Sequence, residues 1–279
     1  MNSSRNLYQN IVNRLKNSYP ETEAQSLAFW MLEHFLQVSR GDIIRDKELQ
    51  GIPKALHTAL EELQAGKPIQ YILGEAPFYG REFKVNPSVL IPRNETEELV
   101  HLIIKENPQP GVRILDIGTG SGCIPITLYL EMAEPVVSAI DISESALRTA
   151  NENAGIHGAK VSFLQTDILG ENIPVGDLEI LVSNPPYVRE LEKAQMHKNV
   201  LEHEPSLALF VSDADPLVFY RTIAKKGLGA LKSGGKLYFE INEALASEME
   251  ELVTDLGYHN IKVHQDLQGK NRILSANKR

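Results

Sequence analysis

The order of apolar and polar residues along the chain predicts two regions of different kind. Up to about Gly66 apolar residues recur at three- and four-residue spacing, for example at Leu56, Leu60 and Leu63. This spacing places them on one face of a helix, so residues 1–66 are predicted to form a small helical domain. Residues 67–97 contain short β-type runs broken by glycine and proline, which predicts a linker that carries a β-hairpin.

Residues 98–279 alternate strand-like and helix-like patterns, with the boundary near Glu98. Apolar runs predict strands at 112–117, 136–140, 161–164, 180–182 and 236–241. Helical patterns fill the intervals at 124–132, 145–154, 216–231 and 244–256. Two more β-rich runs, at 261–264 and 272–274, have no helix between them. This order predicts a mostly parallel, seven-stranded α/β sheet that is covered on both faces and ends in an antiparallel hairpin.

Charge and composition narrow the class of protein. The chain has 37 acidic and 28 basic residues, a formal charge of -9, and no concentration of Lys and Arg beyond short pairs. A protein that grips long nucleic acid normally shows a basic stripe, so a protein or small-molecule substrate is favoured. The eight histidines show no metal-ligand spacing, and no metal is predicted.

The location of the protein follows from what the sequence does not contain. A single cysteine, Cys123, excludes an internal disulfide, and the start of the chain lacks the apolar core of a signal peptide. No apolar run approaches the ~20 residues that cross a bilayer. We therefore expect a cytoplasmic protein without a membrane span.

A glycine-rich turn follows the first predicted strand of the sheet and opens a helix. Its glycines fall at every second position, in the run Gly118, Thr119, Gly120, Ser121 and Gly122. Glycine lets a ligand approach the backbone and permits the turn's backbone angles. A dinucleotide fingerprint would need a small third residue at Cys123, so the spacing resembles an S-adenosylmethionine loop. The alternative is a tight turn without a ligand.

Two acidic residues follow the next two strands. Asp141 ends the second strand, where a carboxylate can accept hydrogen bonds from both ribose hydroxyls of a nucleoside. Asp167 follows the third strand, at the place where an adenine amino group would be met. The alternatives are a helix cap at Asp141 and a turn or capping aspartate at Asp167.

The fourth strand runs into Asn184, Pro185, Pro186 and Tyr187, which predict the chemical site. A planar amide or amino nitrogen is a poor nucleophile, so methyl transfer to it requires both N–H groups to be held. The Asn184 side-chain oxygen and the rigid Pro185 carbonyl are suitable acceptors, and Tyr187 offers a face for stacking. The alternative is a proline-stiffened strand exit with a capping asparagine.

The sequence resembles the HemK/PrmC family, glutamine methyltransferases that act on class-I peptide chain release factors. Besides the two motifs, the likeness includes GKPIQYILG at 66–74, LIPRNETE at 90–97, NVLEHEP at 199–205 and DLQGKNR at 266–272. Asn94 stands where the family usually has proline. Ile168 stands where some members have a tryptophan against the adenine.

The resemblance implies a Rossmann-like class I S-adenosylmethionine-dependent methyltransferase with a substrate-docking N-terminal domain. It implies that the glycine turn, Asp141, Asp167, Ile168 and Asn184 bind the cofactor. Asn184 and Pro185 would hold the glutamine of a Gly-Gly-Gln motif, with Pro186 and Tyr187 beside it, in an enzyme expected to be a monomer. Three alternatives remain: a ribosomal-protein glutamine methyltransferase, a nucleic-acid amino methyltransferase, and a non-catalytic cofactor-binding module.

Overall fold

The computed structural model describes residues 3–279, with Gln195 described by its backbone alone. Two compact units are present in it. The first contains residues 3–74 together with Lys198–His203, and the second contains Glu75–His197 and Glu204–Arg279.

Helices make up the first unit. They are α1 (Ser4–Leu15), α2 (Glu21–Leu36), α3 (Arg40–Ile44), α4 (Lys54–Gln64) and α5 (Ile69–Leu73). Ser3 and Ser39 cap α1 and α3 with their side chains, and the buried faces meet in one core that includes Leu15, Met31 and Leu60. The helical character predicted for this region is confirmed.

The boundary between the units differs from the predicted one. Helix α5 occupies part of the predicted linker and ends at Gly74, whose positive φ closes the helix. The predicted hairpin follows as β1 (Glu75–Phe78) and β2 (Arg81–Lys84). The boundary expected near Glu98 falls inside α6 (Asn94–Glu106), a continuous helix that buries Leu99, Val100 and Ile103.

The second unit is built on a seven-stranded sheet, which confirms the predicted fold class. Its strands, together with the short β7–β8 pair outside the sheet, are β3 (Arg113–Ile117), β4 (Val136–Asp141), β5 (Val161–Gln165), β6 (Leu178–Ser183), β7 (Val188–Arg189), β8 (Phe210–Val211), β9 (Leu231–Glu240), β10 (His259–Gln265) and β11 (Asn271–Asn277). The sheet order is β10-β11-β9-β6-β3-β4-β5. Only the pairs made by β11 are antiparallel.

Helices cover both faces of this sheet. They are α6, α7 (Cys123–Glu131), α8 (Glu144–His157), α11 (Val218–Ala230) and α12 (Ala246–Asp255). Two further short helices are α9 (Lys198–His203), in the first unit, and α10 (Ser206–Leu209), in the second. Ile114 of β3 is buried with α6 and α7, whereas its neighbour Leu115 is buried with α11 and α12. Burial on both faces explains why the central strands are continuous apolar runs.

The strand order reverses at β3, since β4 lies on one side of it and β6 on the other. Open α/β sheets bind ligands at such a reversal, outside the carboxyl ends of the strands. No helix among residues 3–279 is long and apolar enough to span a membrane.

Candidate active site

A cavity of about 430 Å³ opens at the carboxyl ends of β3, β4, β5 and β6. All four strand exits singled out in the sequence contribute to its wall. The predicted residues that line it are Gly118, Thr119, Gly120, Ser121, Asp141, Asp167, Ile168, Asn184, Pro185 and Pro186. Gly122 and Tyr187 are not among the lining residues. The fold thus brings the predicted cofactor loop and most of the predicted chemical site into one space.

The glycine turn has a positive φ at each of its three glycines, which only glycine adopts without strain. The backbone N–H of Gly118 donates to the Ile140 carbonyl at 2.8 Å, which ties the turn to the neighbouring strand. Gly122 serves packing, because a Cβ there would lie 3.0 Å from Ile126 and 3.1 Å from Ala150. The alternating spacing therefore combines an open backbone with close contact between α7 and α8.

Asp141 faces the cavity and also holds the turn. Its Oδ2 accepts from the Gly120 N–H and its Oδ1 from the Ser143 N–H, both at 2.9 Å. Ser143 is the residue that caps α8, accepting from the Ala146 N–H. Burial raises the pKa of the Asp141 carboxyl, and backbone hydrogen bonds oppose the rise. Its position suits a carboxylate acceptor for a ligand more than a helix cap.

The third strand exit gives the cavity an apolar section. Asp167 forms a turn in which its Oδ1 accepts from the Leu169 N–H at 2.9 Å. Ile168 is buried, and Leu169 and Ile142 line the same space while remaining partly open to solvent. The sequence analysis did not identify Ile142 as a cavity residue, although its position directly after Asp141 indicates that it lies at the same strand end. Apolar side chains beside acceptors suit a flat, amino-bearing ring.

The fourth strand exit is fixed from both sides. The Ser183 hydroxyl donates to the Ile117 carbonyl at 2.7 Å, joining β6 to β3. Asn184 Nδ2 donates to Thr96 Oγ1 at 3.2 Å. With Nδ2 turned to Thr96, Oδ1 is the end of the amide that remains to accept from a ligand.

Tyr187 is held by two hydrogen bonds to the end of β9 and the residues that follow it. Its hydroxyl donates to Glu240 Oε1 at 3.0 Å, and its carbonyl accepts from Asn242 Nδ2 at 3.2 Å. Burial is the main cause that raises the pKa of the Tyr187 hydroxyl. The hydroxyl thus anchors this segment to β9, and the stacking role of the ring stays a prediction.

Arg93 and Glu204 form an ion pair beside the cavity. Arg93 Nη2 lies 2.6 Å from Glu204 Oε1, and the Ile91 N–H donates to the other oxygen at 3.3 Å. The Glu204 side chain is only 1% exposed. The pair joins two segments that both line the cavity, 88–93 and 205–208.

Two further buried groups lie near the turn. Burial raises the pKa of the Cys123 thiol to about 12, so this thiol stays protonated at neutral pH. Burial raises the pKa of Asp116 to about 7, partly opposed by the nearby Thr119 hydroxyl. Both Asp116 oxygens are buried without a hydrogen-bond partner among the described residues.

Comparison with known proteins decides the family. A release factor glutamine methyltransferase of Flavobacterium psychrophilum is 44% identical over 280 residues, covering 98% of each chain. A protein of the same name from Bacteroides thetaiotaomicron is 46% identical, covering 95% of this chain and 96% of the relative. The chain belongs to the release factor glutamine methyltransferase family. The resemblance drawn from the sequence is confirmed.

Matches to two domain families agree with the division of this methyltransferase into units. Residues 6–74 match the PrmC N-terminal domain and residues 95–207 match the methyltransferase small domain. The first match ends at Gly74, where the helical unit also ends. The methyltransferase domain, and with it the general dependence on S-adenosylmethionine, is therefore assigned to the sheet unit.

Solved structures support the fold of the methyltransferase. A Pyrococcus furiosus methyltransferase aligns with a TM-score of 0.53 at 16% identity, covering 80% of this chain and 97% of that one. The Thermus thermophilus 16S rRNA N2 G1207 methyltransferase, solved with AdoMet and guanosine, aligns with the same score at 18% identity, covering 74% and 50%. At such identities the likeness concerns the fold alone.

Proposed function

We propose that this enzyme methylates the side-chain amide nitrogen of the glutamine in the Gly-Gly-Gln motif of class-I peptide chain release factors. The relatives that share nearly its whole length are named release factor glutamine methyltransferases. The observation that carries the proposal is the orientation of Asn184 in a cavity that also contains the glycine turn and Asp141.

The residues present fit S-adenosylmethionine. The turn exposes backbone at Gly118 and Gly120 with open space above each glycine. Asp141 supplies a fixed carboxylate for ribose hydroxyls, and Ile142, Ile168 and Leu169 supply apolar contacts for a ring. When bound, the cofactor supplies a methyl group made electrophilic by a sulfonium sulfur.

Asn184 and Pro185 would bind the substrate amide. Asn184 Oδ1 and the Pro185 carbonyl each accept one of the two N–H groups, which orients the nitrogen and stabilises the positive charge that develops on it. Proline locks φ, so the second acceptor needs no reorganisation. One amide proton leaves to solvent after methylation, and no strong general base is required. Orientation is then the main contribution of the protein to the rate.

A release factor substrate makes a protein the partner of this enzyme, rather than nucleic acid or a membrane. It also implies a cytoplasmic location. The nucleic-acid alternative shares the Asn184–Tyr187 chemistry, but the acidic balance of the chain disfavours it. No metal enters the proposal.

The test is incubation of the purified protein with labelled cofactor and a release factor, followed by mass spectrometry to locate the methyl group. We expect one methyl group on the motif glutamine. A release factor with that glutamine changed to glutamate should stay unlabelled. Asn184→Ala should abolish transfer while cofactor binding remains measurable. Labelling of a ribosomal protein instead of the release factor would overturn the proposed substrate.

A further inference from the structure

Three side chains connect the interior of the sheet unit to the amide of Asn184. Glu240 ends β9 and is 1% exposed. The Thr96 hydroxyl on α6 donates to Glu240 Oε2 at 2.6 Å, and Asn184 Nδ2 donates to Thr96 Oγ1 at 3.2 Å. Tyr187 donates to the second oxygen, Oε1, so both carboxylate oxygens of Glu240 are engaged.

The number of protons available on these side chains determines which group donates in each hydrogen bond. A carboxylate offers acceptors only, and a hydroxyl has one proton. When Glu240 is ionised, Thr96 gives its proton to it and presents only lone pairs to Asn184. The reversed amide would place Asn184 Oδ1 against those lone pairs, without a proton between the two oxygens. The short bond from Thr96 to Glu240 therefore selects one of the two amide orientations of Asn184.

That orientation is the one that methyl transfer needs. An asparagine that presented its NH₂ group to the substrate would meet the N–H groups of the glutamine amide, donor against donor. The bonds among Asn184, Thr96 and Glu240 leave Oδ1 for the substrate. The proline at 185 restrains the backbone, but it does not determine which end of the amide faces the cavity.

We propose that Thr96 is a positioning residue for the reaction, with Glu240 as its anchor: the two hold Asn184 in its substrate-accepting orientation. This inference rests on the proposed function. A structural role alone explains Glu240 poorly. Helix α6 already buries Leu99, Val100 and Ile103, and a buried carboxylate stabilises a fold less than an apolar side chain of similar size.

The experiment compares Thr96→Val, which keeps the shape and removes the hydroxyl, with Thr96→Ser, which keeps the hydroxyl. The matched control is Thr127→Val on α7, where a fully buried threonine hydroxyl has no hydrogen-bond partner among the described residues and does not line the cavity. For each variant the kcat and KM with release factor, the Kd for S-adenosylmethionine and the Tm are measured.

We expect Thr96→Val to lower kcat about ten- to hundredfold, since misorientation of a reacting group has effects of that order. Its KM for the release factor and its Kd for the cofactor should stay near the wild-type values, whereas its Tm should fall because a buried oxygen of Glu240 loses its donor. Thr96→Ser should restore most of kcat, and Thr127→Val should match the wild type. If Thr96→Val does not fold, Thr96→Ala, which removes the hydroxyl without adding a methyl group, carries the same expectation.

The inference is overturned if Thr96→Val or Thr96→Ala keeps a kcat within about twofold of wild type. It is also overturned if Thr96→Ser is as slow as Thr96→Val. The proposed function is judged separately: it fails if the wild type leaves the release factor unmethylated. An inactive Asn184→Ala beside a fully active Thr96→Val would remove the positioning role alone.

Discussion

The backbone N–H of Gly120 donates to Oδ2 of Asp141 at 2.9 Å, so the turn after β3 and the end of β4 form one rigid corner of the cavity. The second oxygen of the carboxylate accepts from Ser143 at the same distance. Each carboxylate oxygen has two lone pairs, so each still has one for a ligand hydroxyl.

We predict that Asp141→Asn weakens binding of S-adenosylmethionine roughly ten- to hundredfold, because charged hydrogen bonds are worth about 1.5–3 kcal/mol. The new NH₂ group would also face a backbone N–H of the corner. Isothermal titration calorimetry measures the effect. Asp255→Asn, at the exposed end of α12, is the matched control and should bind normally. Equal affinities of the two variants would show that Asp141 does not hold the ribose.

Alanine variants at two glycines of the turn should differ in how much stability and how much cofactor affinity they lose. Gly118→Ala meets no atom within 4 Å but has φ +76°, whereas Gly122→Ala adds contacts of 3.0 and 3.1 Å to a φ of +80°. We expect Gly122→Ala to lose more stability, about 2–4 kcal/mol against about 1–2 for Gly118→Ala. Relative to its loss of stability, Gly118→Ala should lose more affinity for the cofactor than Gly122→Ala does. The reason is that, of the two glycines, only Gly118 lines the cavity.

Urea unfolding and cofactor titration of the two variants decide the comparison. If Gly118→Ala were the less stable protein and still bound the cofactor normally, the division between a ligand-facing and a packing glycine would be wrong.

The sequence predicts best those features in which physics acts within a few residues. The apolar run at β6 predicts a buried strand from neighbouring residues alone. The glycines at 118, 120 and 122 likewise predict a tight turn. Thr96 and Glu240 were missed because they are 144 positions apart and meet only after α6 packs on β9. The bond from the Tyr187 hydroxyl to Glu240 was missed for the same reason, since these two residues are 53 positions apart.

Substitutions of Arg93 and of Glu204 should destabilise the protein to different extents. Arg93→Met leaves the Glu204 carboxylate buried without its cation, whereas Glu204→Gln keeps an acceptor for the Ile91 N–H. Because Arg93 is partly exposed, we expect about 1–3 kcal/mol of destabilisation for Arg93→Met and less for Glu204→Gln. Arg93→Met should also raise KM for the release factor, since segment 205–208 lines the cavity.

Urea unfolding and steady-state kinetics on both variants provide the measurement. The double variant, Arg93→Met with Glu204→Gln, should recover part of the stability that Arg93→Met loses. A double variant that is less stable than either single one would argue against an uncompensated buried charge as the cause.

The raised pKa of Asp116 should make the stability of the folded protein depend on pH. Burial raises its pKa from 3.8 to about 7 in the folded protein, so between these values the folded state binds a proton that the unfolded state has released. Stability from this group is therefore highest below about pH 4, falls as pH rises towards 7, and is level above that. Asp116→Asn removes the ionisation. The variant should gain on the wild type as pH rises, by up to about 4 kcal/mol in total at about 1.4 kcal/mol per unit of pKa.

The measurement is the free energy of unfolding in urea for both proteins at pH 5, 6, 7 and 8, without cofactor. The remaining carboxyl groups are common to the two proteins, so their contributions largely cancel in the difference. A difference that stays constant from pH 5 to 8 would mean that Asp116 keeps an ordinary pKa in the folded protein.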